Sequence, residues 1–250
     1  MGYFKNINLF NFRNFENFSL ELSNECNVLY GNNGSGKTNI LEAISLFSKG
    51  RGIRKDKISN IIKKNHEKFL IKADFEHNQI IYNLISETEK TKERSKKIIS
   101  VNKDKSKEGL NSFYQLISFL YFLPETERLF VSSPTNRRNF LDQLIFTYKN
   151  TYNIIINNYI KSLQERSRIL LNNNYDESWI TELEKNISKY GIKIYFLREK
   201  QKNIILENLN YFLNSFNLSF KINIELSDTF YRKELDQVYY ENQLKNNRKI

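Results

Sequence analysis

The chain holds a single cysteine, Cys26, among its 250 residues, so no disulfide can close within it. Histidine is nearly as scarce: His66 and His77 are the only two, and no set of residues sits at metal-ligand spacing. No apolar run approaches the roughly 18 residues that a membrane span needs. The start, Met1-Gly2-Tyr3-Phe4-Lys5, lacks a charged segment followed by an apolar one. Together these absences point to a soluble cytoplasmic protein with no membrane partner.

Basic residues, in contrast, are in excess. Lys and Arg number 39 against 28 Asp and Glu, a formal charge of +11. Such an excess favours an acidic partner such as nucleic acid, because clustered cations displace counterions from phosphates. Part of it reflects a background rich in Asn, Ile and Lys.

The most specific signal is Gly31-Asn32-Asn33-Gly34-Ser35-Gly36-Lys37-Thr38, which fits G-x-x-x-x-G-K-[ST]. Glycines let successive backbone N–H groups turn inward around a phosphate chain. Lys37 reaches the β/γ oxygens, and the Thr38 hydroxyl holds Mg²⁺. Cys26 to Tyr30 before the loop is expected as a short buried strand, and Ile40, Leu41, Ile44 and Phe47 after it recur at helical spacing.

Alternation predicts strands over Phe4–Phe10, Phe18–Leu22, Phe69–Phe75 and Ile80–Ile85, with a solvated hairpin edge over residues 86–101. Past Pro124 the period changes. Tyr152, Ile155, Ile156, Tyr159, Ile160, Leu163 and Leu170 mark one long helix, broken at residues 172–174. A second keeps a 3-4 spacing through Ile180, Leu183, Ile187, Tyr190, Ile194, Leu197, Ile204 and Tyr211, interrupted by Gln201 and Asn208. Two antiparallel helices are expected, the second about 35 residues and roughly 50 Å long. Ordinary core helices of a compact bundle are the alternative. Phe216, Leu218, Phe220, Ile222 and Ile224 alternate with polar residues as a strand would, and residues 233–245 read as a last helix.

A phosphate loop normally works with an apolar strand ending in an acidic residue that serves Mg²⁺ through water. Residues 119–123 are suitably apolar but lead into Pro124-Glu125, while Leu141-Asp142 and Ile85-Ser86-Glu87 lack a long enough apolar run.

Several blocks in combination resemble the RecF family of bacterial DNA replication and repair ATPases. They are residues 9–15 (Leu-Phe-Asn-Phe-Arg-Asn-Phe), 31–44, 51–54, 123–130, 134–142 and Gln164-Glu165-Arg166. The resemblance implies an α/β fold: an ABC-type P-loop NTPase head, a mixed sheet with helices, plus an antiparallel helical arm. The C-terminal part of the head would be missing. The implied division is residues 1–124 for the N-terminal part of the head, 125–215 for the arm, and 216–250 for a strand and helix returning toward the head.

By that resemblance Gly31 to Thr38 bind ATP, Thr38 is the Mg²⁺ ligand, and Arg13 approaches the nucleotide, a surface ion pair being its alternative. Arg51, Arg54, Lys55, Lys57, Arg137 and Arg138 become candidate DNA contacts. Also implied are an ATP-dependent homodimer that clamps single-stranded, duplex or gapped DNA, partnership with RecO and RecR, recombinase loading in gap repair, and a part in SOS induction. Family members continue through a Ser-x-Gly signature and an acidic strand, so hydrolysis by residues 1–250 alone is expected to be negligible and no catalytic residue is assigned. The alternatives are a protein-interaction module with a vestigial nucleotide site and a transport ATPase subunit.

Overall fold

The computed structural model describes residues 2–90, 95–123, 129, 131–149, 151–171, 176–227 and 236–248. They fall into two compact units, Met1–Tyr121 and Phe122–Ile250.

The first unit is built on a five-stranded antiparallel sheet. Its strands are β1 (Gly2–Phe12), β2 (Phe15–Glu21), β3 (Leu70–His77), β4 (Ile80–Lys90) and β5 (Ser95–Val101), in the order β2-β1-β3-β4-β5. The alternation explains which face is which. Ile7 and Leu9 of β1 and Ile71, Ala73 and Phe75 of β3 point to one side, where α1 (Lys37–Ser45) and α3 (Lys107–Leu116) bury them with Ile40, Ala43, Leu46, Phe47 and Phe113. On the other side lie polar partners: Asp74 accepts from Asn6 and Asn83, each at 2.7 Å. A one-turn helix, α2 (Ile58–Ile61), places buried Ile61 against the same core.

The expected strands are present and longer than the alternation marked, and β5 is an edge of the sheet. Residues 91–94 of the charged hairpin and Pro124-Glu125 lie outside the described residues.

Two expectations fail. Residues 26–30 form no strand and are largely exposed, with Tyr30 91% accessible. Residues 216–224 likewise have no strand, and Phe216 and Phe220 face solvent. A strand needs a neighbour to take its N–H and C=O groups, and the sheet of the first unit pairs only β1 to β5.

The second unit is helical: α4 (Pro134–Tyr148), α5 (Tyr152–Leu170), α6 (Glu177–Ser215) and α7 (Gln237–Asn246). α6 has 39 residues, about 58 Å at 1.5 Å per residue. α5 and α6 run antiparallel, since Asn158 reaches Tyr190 while Arg166, further along α5, reaches Glu184, earlier on α6. Ile180, Leu183, Ile187 and Ile194 are buried at the expected spacing. Beyond Leu197 the seam weakens: Gln201 is buried, Asn208 is exposed and bonds back to the Ile204 carbonyl at 2.7 Å, and Tyr211 is 78% exposed. The break at residues 172–174 lies outside the described residues.

Buried ion pairs tie these helices together. Asp142 of α4 receives both Nε and Nη2 of Arg198 at 2.7 Å, and Tyr152 donates to it at 2.6 Å. Burial and that carboxylate push the Tyr152 phenol well above its ordinary value. Glu184, fully buried on α6, accepts from Arg166 of α5 and from Arg248 just after α7.

Candidate functional site

The loop 31–38 leads straight into α1, and its shape follows from its glycines. Gly31, Gly34 and Gly36 have φ of +144°, +83° and +101°, a region that L side chains rarely adopt. Gly36 is constrained twice over, because a Cβ there would lie 2.5 Å from Cζ of Phe15 and 3.0 Å from the Asn14 amide. The tip of the β1–β2 hairpin therefore leans on the loop. Asn14 adds a hydrogen bond from Asn39 at 2.7 Å.

No side chain caps the N-terminus of α1, which leaves its first-turn N–H groups turned toward the loop. Lys37 curls back over the loop, donating from Nζ to the carbonyls of Gly31 at 2.7 Å and Asn32 at 2.8 Å. An ammonium held by two carbonyls, beside uncapped amides and a glycine cradle, suits a polyphosphate chain. The Thr38 hydroxyl is exposed in the same turn. Among the described residues no group of three or more His, Cys, Asp or Glu is arranged to hold a metal.

Arg13 follows β1 with φ +53°. Its guanidinium is engaged within the unit. Nε donates to Glu42 at 2.8 Å and Nη2 at 2.5 Å, Nη2 also reaches Asp56 at 2.7 Å, and Nη1 bonds the Asn60 carbonyl at 2.8 Å. Glu42, fully buried on α1, holds the Arg13 pKa above its ordinary value, and Arg13 in turn lowers that of Asp56. Arg54 joins the cluster, bonding Asn39 at 2.8 Å and Glu42 at 3.0 Å.

Of the candidate DNA contacts, Arg51, Arg54, Lys55 and Lys57 share the exposed segment after α1. Arg137 and Arg138 lie exposed in the first turns of α4, in the other unit, where Arg138 bonds Thr135 at 3.2 Å. Two of the three rejected acidic candidates have structural partners: Glu87 pairs with Lys105, and Asp142 with Arg198.

Glu42, Asp56 and Phe15 were invisible as site residues from sequence. The one available signal was a carboxylate, Glu42, set between the buried Ile40 and Ala43.

Residues 3–117 match the family described as "RecF/RecN/SMC N terminal domain". The DNA replication and repair protein RecF of Rickettsia typhi is 35% identical over 182 residues, 73% of this chain and 49% of that protein. The protein of the same name from Rickettsia felis is 30% identical over 210 residues, 84% of this chain and 57% of that one. A solved structure of the recombination mediator protein RecF as RecF-ATPrS, in the RecFOR pathway, superposes with a TM-score of 0.82 at 26% identity, covering 98% of this chain and 66% of that one. The chain belongs to the RecF family. It spans about half the length of the curated relatives it matches. A second RecF structure, with ATP, gives a TM-score of 0.81 over 98% of the chain. The resemblance thus extends through both units, the helical one included.

Proposed function

We propose that the chain binds ATP with Mg²⁺ at residues 31–38 and forms the nucleotide-binding part of a RecF-type DNA replication and repair ATPase. The observation that carries this is the Lys37 ammonium lying across the loop on the Gly31 and Asn32 carbonyls, beside the uncapped start of α1. Incoming β- and γ-phosphate oxygens take over that ammonium and the amides, and the Thr38 hydroxyl ligates the metal. Solved RecF structures with ATP and RecF-ATPrS of the same fold support the nucleotide.

In the same proposal, ATP pairs two heads and the pair clamps DNA, with Arg51, Arg54, Lys55 and Lys57 on one unit and Arg137 and Arg138 on the other contacting phosphates. Arg13 takes part through Glu42, holding α1 in place. RecO and RecR are the partners, and gap repair with recombinase loading and SOS induction the setting. Residues 1–124 form the nucleotide-binding part, 125–215 the helical arm, and 216–250 a segment returning toward the C-terminal half of the head.

Lys37→Ala decides the nucleotide site. Calorimetric titration with ATP and Mg²⁺ is expected to show binding by the wild-type chain and none by the variant, and ATP is expected to raise the sedimentation coefficient of the wild type only. Equal ATP affinity in both proteins would refute the site.

A further inference from the structure

We propose that Lys97, on β5, is a positioning residue for the nucleotide loop: its ammonium grips the far end of α1 and so fixes how that helix presents residues 31–38. The proposal rests on the ATP-binding reading above.

Lys97 Nζ donates to the Leu46 carbonyl at 2.6 Å and the Ser48 carbonyl at 3.2 Å. Those groups end α1, where carbonyls without helical partners carry partial negative charge. The last turn of α1 has no basic residue of its own, so the sheet supplies the cation.

No carboxylate balances it among the described residues. On the Lys97 face of the sheet stand Ser95, Ile99 and Val101 of β5, with Thr88 directly opposite and Ser86 beside it on β4. Glu87 and Glu89 of β4 belong to the other face, paired with Lys105 and Lys96. Around the helix end, Tyr121 donates to Ser48 Oγ at 3.2 Å and the Lys49 ammonium sits 5.0 Å over the Tyr114 ring. Burial raises the pKa of both tyrosines, Tyr114 to about 12, so they stay neutral near pH 8.

Withdrawing an ammonium from water without a counter-charge is unfavourable, and burial brings its pKa down to about 8. If this position only filled space, an apolar side chain of the same length would fill it better. The charge has a use in the carbonyls it satisfies. With nine residues α1 is a rod about 13 Å long, so a tilt at Leu46 reappears at Gly36. Arg13 and Arg54 grip the same rod at its middle through Glu42.

The test compares wild type, Lys97→Met and Lys97→Arg in the full 250-residue chain, with ATP affinity by calorimetry from pH 7 to 9 and amide exchange over α1 and β3. At pH 7 Lys97→Met is expected to bind ATP about five- to tenfold more weakly, the scale of a lost charge at a helix end. Faster exchange should be confined to α1, and Lys97→Arg should stay within about twofold of wild type, since its cation reaches the same carbonyls. As pH rises through about 8, wild-type affinity should fall toward that of Lys97→Met, while Lys97→Arg, always charged, does not follow. Wild-type affinity and pH profile in Lys97→Met would overturn the proposal. So would equal loss in both variants with β3 protection lost as well, which would make Lys97 a packing residue. If the wild type binds no ATP, the nucleotide reading itself fails and this one with it.

Discussion

Two fully buried glutamates, each held by two arginines, serve different ends in the two units. Glu184 is enclosed: Arg166 and Arg248 are both 13% exposed and satisfy the Leu244 carbonyl, Glu177 and Thr181 besides. Among the described residues every partner belongs to α5, α6, α7 or the residues just after α7, so the cluster locks these helices to one another. Glu42 is open on one side. Arg13 is 14% exposed, but Arg54 is 38% exposed, bonds Asn39 next to Thr38, and stands in the basic segment 51–57. The same carboxylate–guanidinium chemistry assembles in one place and, in the other, links the helix that follows the glycine loop to a charged surface.

Removing Glu184 should produce the largest effect. Glu184→Ala leaves the Arg166 guanidinium without a carboxylate and Arg248 with Glu177 alone, and loss of about 3–5 kcal/mol is expected. Chemical denaturation read by Trp179, the chain's single tryptophan at the start of α6, measures it. ATP affinity should stay as in the wild type; a parallel loss of ATP binding would break the contrast between the clusters.

Glu42→Gln keeps the shape and removes the charge. About 2 kcal/mol of stability should go, because one of the two oxygens that accept from Arg13 and Arg54 is replaced by an NH₂ that cannot accept. Here ATP affinity should fall as well, about tenfold, measured by the same titration. Unchanged affinity would reduce Glu42 to the assembly role of Glu184.

Asp56 gives the smallest effect. Arg13 lowers its pKa, so the carboxylate contributes stability above its unfolded value of about 3.8, lost as pH falls through the lower folded value. Asp56→Asn should flatten the wild-type decline in stability at acid pH and change nothing at pH 7 and above beyond a small offset. Identical acid profiles would show that Arg13 gains nothing from it.

The sheet and the helical pair were legible in the sequence because their signals are local. Ile7 with Leu9, and Ile180 with Leu183 and Ile187, bury at the period their spacing announces. The shape of the glycine loop was legible for a different reason: its glycines answer a backbone demand at positions 31, 34 and 36. Residues 26–30 and 216–224 carry as good an apolar signal and form no strand, since pairing depends on a neighbour that alternation does not specify. Glu42 and Lys97 stayed hidden because their partners lie 29 and 51 residues away in sequence.

The Phe15 ring beneath Gly36 has a practical consequence. An aromatic face that near displaces the magnetic resonance of the glycine protons above it, so Gly36 carries its own reporter. Any swing of the hairpin tip would register as a changed chemical shift at one residue, with no label attached.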